Sequence, residues 1–285
     1  YWQQISLIGH DVGHNSFTHN RKFDYLFGLI FINPTLGISL GSWKFTHNIH
    51  HIVTNSIEND PDIQHLPFIA IDEKELVPYK SSFHDKIFNF DNLSKFLISY
   101  QTYISYPLIL IFGRFALFLN GIKQLISKKE IHYRYLDLIG ILLFTFLYSV
   151  LVYYSSNSIK EGFLYILTSH CAAGIINIQI ILSHFSMHTY SNNVNSSEDW
   201  IKMQINSSLN IKCHKIMNWF HGGLQYQIEH HLFPRLPRHH LEYASSYIKD
   251  FCKKYDLKYN SLNFIDANIK TLNHLNNISN SKKLS

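Results

Sequence analysis

Residues 163–185 read FLYILTSHCAAGIINIQIILSHF, an apolar run that closes on a histidine, His184. A helix that crosses a bilayer needs about 20 mostly apolar residues. This stretch meets that length, as does LDLIGILLFTFLYSVLVYY at 136–154. The two are joined by SSNSIKEG, which predicts a pair of antiparallel spans with a polar histidine where the second one ends. Two further stretches are less regular. Residues 25–40, YLFGLIFINPTLGISL, are short and broken by Asn33-Pro34. Residues 97–119, LISYQTYISYPLILIFGRFALFL, are long enough but carry Pro107 and Arg114.

Charge orients these segments. Lys123, Lys128, Lys129 and Arg134 precede the span at 136, while the loop after it has one Lys and one Glu. Basic residues collect on the cytosolic side, so 120–135 and the chain after 186 are expected there. If all the histidine clusters share one face, 25–40 must be interfacial or re-entrant. By the same parity, 97–119 reads as an interfacial amphipathic helix rather than a crossing.

The bulk composition fits a membrane protein. Charged residues make up 16% of the 285, against about 25% in soluble domains. The net charge of +5 comes from scattered Lys and Arg, which argues against a nucleic-acid partner. Three cysteines without CxxC spacing give no thiolate metal site and no disulfide framework. The chain opens on Tyr1 rather than Met and reads as an N-terminally truncated piece. Residues 241–258 have the apolar spacing of an amphipathic surface helix. The Asn-, Ser- and Lys-rich end, 273–285, reads as a frayed polar tail.

Histidine is the outlier, with 19 copies. HDVGH places His10 and His14 four apart, on one face of a helix. HNIHH supplies His47, His50 and His51, and QIEHH supplies Gln227, His230 and His231. In each trio the extra adjacent His points about 100° around the helix, so one trio can serve two metal ions. Seven clustered histidines and a glutamine exceed the needs of one four-coordinate zinc. HExxH and the paired Glu-x-x-His of soluble di-iron bundles are both missing. Two ions of higher coordination with mostly neutral ligands, an oxygen-activating di-iron centre, fit best. His184 joins as a further candidate ligand. Asp11, Asp60 and His221 are candidates for orienting ligands by hydrogen bonds, as metal-bound imidazoles require. Against these stand blander roles: a helix cap for Asp11, a solvated turn for Glu58, Asp60 and Asp62 around Pro61, and packing for His221. The remaining histidines, among them His19, His65, His170 and His188, read as structural or solvated.

These motifs carry a resemblance. HDVGH, HNIHH and QIEHH, with the longer strings WKFTHNIHHIVTNSIENDPDIQHLPF and NWFHGGLQYQIEHHLFPRLPR, resemble the three histidine boxes of membrane fatty acyl and sphingolipid desaturases. The similarity runs over residues 1–272. The glutamine opening the third box marks front-end desaturases, and the chain looks most similar to delta-8 sphingoid long-chain-base desaturases, with delta-6 acyl desaturases near. The resemblance implies an all-α integral membrane fold, in which transmembrane and interfacial helices carry a cytosolic di-iron histidine-box domain in the endoplasmic reticulum. It implies ligation by His10, His14, His47, His50, His51, His184, Gln227, His230 and His231, with O2 as co-substrate. It also implies electrons from cytochrome b5 and its reductase, and a membrane lipid as substrate. The cytochrome b5-like domain usual in this group is not in the sequence, so the donor is expected upstream or separate. Ser42 departs from the family, which often has a second Trp beside Trp43. A lipid hydroxylase is the neighbouring chemistry, and a membrane metal-binding or transport protein is the alternative of another class. Transport would place ionisable ligands in mid-span, where here only His170 lies.

Overall fold

The computed structural model describes residues 1–127, 130–191 and 200–281. Lys128 and Lys129, on which the orientation reading leans, lie outside them. The described residues are mostly helical. The only pairing strands among them are two small ribbons, antiparallel β1 (Tyr79–Ser81) with β2 (Lys86–Phe88), and parallel β3 (Asn210–Lys212) with β4 (Ser261–Asn263). The chain divides into two units, Tyr1–Phe45 with Pro107–Ile178, and Thr46–Tyr106 with Gln179–Ser285.

The first unit holds α1 (Trp2–Gly13), α2 (Arg21–Phe27), α3 (Asn33–Leu36), the start of α4 (Leu40–Ile52), and most of α6 (Gln101–Ile126), α7 (Arg134–Tyr154) and α8 (Ile159–Leu182). The last three are each long and apolar enough to cross a membrane. The helical stretch Arg21–Leu36 turns by 101° into α4, as a broken span or a re-entrant segment would. Gly37 takes the left-handed conformation at that break, φ 67°, which a side chain would resist.

The stretch read as interfacial, 97–119, lies mostly in α6, whose length and composition would also allow a crossing. Residues 101–126 form one continuous helix that runs through Pro107. Arg114 is 5% exposed, its guanidinium lies 3.8 Å over the Trp2 ring, and it donates to the Leu36 carbonyl. Both partners are far away in sequence, which is why the arginine looked like a lone charge in an apolar run. Asp137 near the start of α7 is settled the same way. It accepts from Asn33 Nδ2 at 2.5 Å and from the Gly41 N–H at 3.2 Å. A carboxylate at the N-terminus of α4 satisfies an orphan donor and meets the positive end of the helix dipole.

The second unit packs α5 (Asn92–Ser99), α9 (Trp200–Asn206), α10 (Asn218–His221), α11 (Gln227–Leu232), α12 (Leu241–Lys254) and α13 (Phe264–Ser279) with the two ribbons. Helix α12 buries Leu241, Ser245, Ile248 and Cys252 on one face, as its spacing predicts. Ile248 and Cys252 join Ile205 and Ile228 in one core cluster, which takes in the third histidine motif at Ile228. The tail is not frayed through Ser279. Thr271, Leu275 and Ile278 recur at helical spacing and are buried, so α13 docks despite its polar composition. Residues 282–285 lie outside the described residues.

Candidate metal centre

Helix α4 ends on His47, His50 and His51, and α11 is built on Gln227–Leu232. Five consecutive residues of α11, Gln227 to His231, are buried. A six-residue helix cannot sustain itself in water, so its neighbours hold it. Ile228 N–H donates to Asn210 Oδ1 at 2.9 Å. Glu229 accepts from Asn210 Nδ2 at 2.6 Å and from the Tyr259 hydroxyl at 2.7 Å. Ahead of it the chain turns through Gly222 and Gly223, φ 55° and 97°, conformations that favour glycine.

Within the second unit, His50, His184 and His231 each offer a nitrogen within 4.8 Å of the others. Their exposures are 2%, 3% and 1%. His50 Nδ1 lies 2.8 Å from Asp60 Oδ2, His184 Nδ1 3.0 Å from the Ser207 carbonyl, and His231 Nδ1 2.9 Å from Gln204 Oε1. Each ring is thus held at Nδ1 by an oxygen acceptor, which leaves Nε2 of all three for a shared ion. This geometry fits a metal bound through three imidazole Nε2 atoms, with His50 giving up its second proton to the metal. Beside it stand His47, His51 and His230. His47 and His51 bring their Nε2 atoms to 3.2 Å, and the His51 and His230 rings lie 4.7 Å apart.

Burial pushes His184 down to about 3, helped by His50, and holds His231 well below the usual imidazole range. Both are neutral, the state a metal needs. Burial also opposes charge on His50, but Asp60 and Asp62 outweigh it and raise the imidazole to about 9. Asp60 is fully buried and also accepts the backbone N–H of Asn55 and of Asp62. It is therefore not part of a solvated turn. Asp62 contacts His47 at 3.3 Å, whereas the Glu58 backbone carbonyl accepts the Ser82 N–H. Replacing Asp60 by Asn keeps the shape but puts a neutral amide against His50. Metal affinity is expected to fall about 10–100-fold, measurable by chelator competition.

His10 and His14 lie in the first unit, with ring centroids 4.6 Å apart, and each meets Trp43 edge-on at 5.6 and 5.5 Å. Asp11 sits near the C-terminus of α1, which rules out the N-cap alternative for it. Gln227 is buried in the first turn of α11. His221 is buried and its Nδ1 lies 3.3 Å from Gln179 Nε2, apart from the trio's own contacts. His170 stacks on Phe115 at 3.9 Å, in keeping with a packing role. Ser42 donates to the Gly121 carbonyl at 3.3 Å. Sequence reading missed Gln204, Ser207 and Thr54, because residues of these types in a polar stretch carry no motif.

The family pattern for fatty acid desaturases matches residues 1–263. The chain belongs to the fatty acid desaturase family. It is similar to a Delta(8)-fatty-acid desaturase of Helianthus annuus, 42% identical over 274 residues, covering 96% of this chain and 59% of the relative. A Delta 8-(E)-sphingolipid desaturase of Komagataella phaffii is 40% identical over 282 residues, 96% and 51% of the two chains. An Acyl-lipid (9-3)-desaturase of Borago officinalis is 38% identical over 276 residues, 97% and 61%. The chain therefore spans 51–61% of the length of these curated relatives. With three helices among the described residues long and apolar enough to span, this desaturase-family chain fits a membrane protein.

Proposed function

We propose that this chain is the di-iron portion of a front-end lipid desaturase that introduces the delta-8 double bond into sphingoid long-chain bases. The observation that carries the reading is the buried trio His50, His184 and His231, each ring held at Nδ1 by an oxygen, in a chain similar to delta-8 desaturases. His50, His184 and His231 would hold one iron. His47, His51 and His230 would serve the other, Gln227 would be a weak ligand that leaves a position open, and the family resemblance adds His10 and His14 to the ligand set. When bound, the two ions supply the O2 activation needed to break the C–H bond of an unactivated methylene.

The balance is simple. Two neighbouring carbons lose one hydrogen each, and O2 takes these with two electrons and two protons to give two waters. Cytochrome b5 and its reductase are the proposed electron source. The protein residues orient and dry the site. Asp60, Ser207 and Gln204 fix the rings, and Phe185, Leu209 and Ile228, at 2%, 1% and 0% exposure, exclude water. The proposed setting is the endoplasmic reticulum, with the histidines facing the cytosol. Similarity to the Borago acyl-lipid enzyme favours a second reading, delta-6-type desaturation of acyl chains.

The test expresses the protein with cytochrome b5 in a host whose sphingoid bases lack this bond. Double bonds are then located by mass spectrometry in sphingoid bases and in fatty acids. A new bond at carbon 8 of the base supports the proposal. New bonds confined to acyl chains move the assignment to the second reading, and hydroxylated products without unsaturation reject desaturation.

A further inference from the structure

Gln204 lies on α9, outside every histidine motif, and is 0% exposed. Its Nε2 is 2.8 Å from the backbone carbonyl of His51, and its Oε1 is 2.9 Å from His231 Nδ1. A backbone carbonyl can only accept, so the group facing it is the amide NH2. That fixes which way the carboxamide points, and Oε1 faces His231. An amide oxygen can only accept, so His231 must carry its proton on Nδ1. Nε2 is then the nitrogen with the free lone pair. Thr54 Oγ1, 2.7 Å from the His50 carbonyl and 3.1 Å from His231 Nδ1, steadies the same edge of the ring.

We infer that Gln204 is a positioning residue: it sets the Nδ1–H tautomer and orientation of His231 and locks the HNIHH segment to the QIEHH segment. The segment Gln204–Ser207 then orients two rings from distant parts of the chain, His231 through an amide and His184 through the Ser207 carbonyl. The inference rests on the metal-centre reading above. It goes beyond that reading by assigning ligand geometry to a residue that is itself no ligand.

The two jobs of Gln204 can be separated chemically. Gln204→Leu removes the acceptor to His231 and the donor to His51 together. Gln204→Glu keeps the acceptor, now charged, and loses only the donor. A mere clamp would treat the two variants alike, because both lose the hydrogen bond from residue 204 to the His51 carbonyl. A tautomer-setting residue would not.

The experiment titrates cobalt(II) into the purified metal-free chain in detergent, with chelator competition, visible absorption and thermal unfolding recorded together. Gln204→Leu is expected to weaken cobalt binding about 10–100-fold. Gln204→Glu should bind within about threefold of wild type, since its acceptor remains, and should shift the cobalt bands because a charged acceptor makes His231 a stronger donor to the metal. Both variants should unfold at similar temperatures without metal. Wild-type affinity in Gln204→Leu would overturn the inference. So would equal losses in both variants with unshifted bands. If the wild-type chain takes up no cobalt or iron, the metal-centre reading itself falls and this inference with it.

Discussion

Replacing His184 by alanine is expected to strip iron from the protein and abolish desaturation. The loss should exceed the roughly 100-fold that marks the upper end for partners outside the ligand set. His50→Ala should do the same to iron and activity, yet the two variants should differ in stability. His184 hands its Nδ1 proton to a backbone carbonyl, Ser207 O. Losing that contact orphans one neutral acceptor, a cost of about 1–3 kcal/mol. His50 faces the fully buried Asp60 carboxylate. Its removal leaves a buried charge short of a partner, a cost of about 3–5 kcal/mol when such a pair is broken. Metal analysis and thermal unfolding of the metal-free variants check both statements. Full iron content in His184→Ala would remove this histidine from the ligand set, and zinc in place of iron in the wild type would end the di-iron reading.

The second large effect is expected where two helices of the first unit touch. A Cβ on Gly174 of α8 would sit 2.4 Å from the carbonyl oxygen of Leu110 and 2.9 Å from its Cα, on α6. Both are backbone atoms and cannot swing aside. Membrane helices pack through such small residues, because close backbone approach replaces the hydrophobic driving force that lipid cannot provide. Gly174→Val should therefore force α6 and α8 apart, costing more than the about 1–3 kcal/mol of ordinary overpacking. The measurement is the folded fraction in detergent by size exclusion, with the melting temperature. Gly113 is the control. A Cβ there meets the Asn177 side-chain amide at 2.6 Å, the far end of a side chain that can rotate away. Gly113→Ala should be mild, and an equally damaging Gly113→Ala would show that general crowding, not backbone contact, sets the cost.

The candidate ligands stood out in the sequence for a physical reason. Imidazoles at i, i+3 and i+4 share a helix face, and no other common role needs three such groups at the ends of apolar runs. His184 was visible because it interrupts the polar edge of a span. Asp60 was visible because it lies close behind the second motif. What stayed hidden depends on partners distant along the chain. Arg114 looked like a lone charge in an apolar run until Trp2 and the Leu36 carbonyl came to meet it. Gln204 looked like any glutamine until His51 and His231 closed on its two ends. The C-terminal helix α13 was hidden by composition, since three well-spaced buried residues outweigh a polar remainder once a groove exists to receive them.

The parallel ribbon under α11 has a consequence for biosynthesis. Strand β3 pairs with β4, and Tyr259, just ahead of β4, holds Glu229 in place. The third histidine segment thus leans on residues translated after it. While the ribosome still covers residues 259–263, His230 and His231 have been made but their helix lacks part of its support. A nascent chain arrested before residue 259 would carry every candidate ligand without part of the scaffold that aims them.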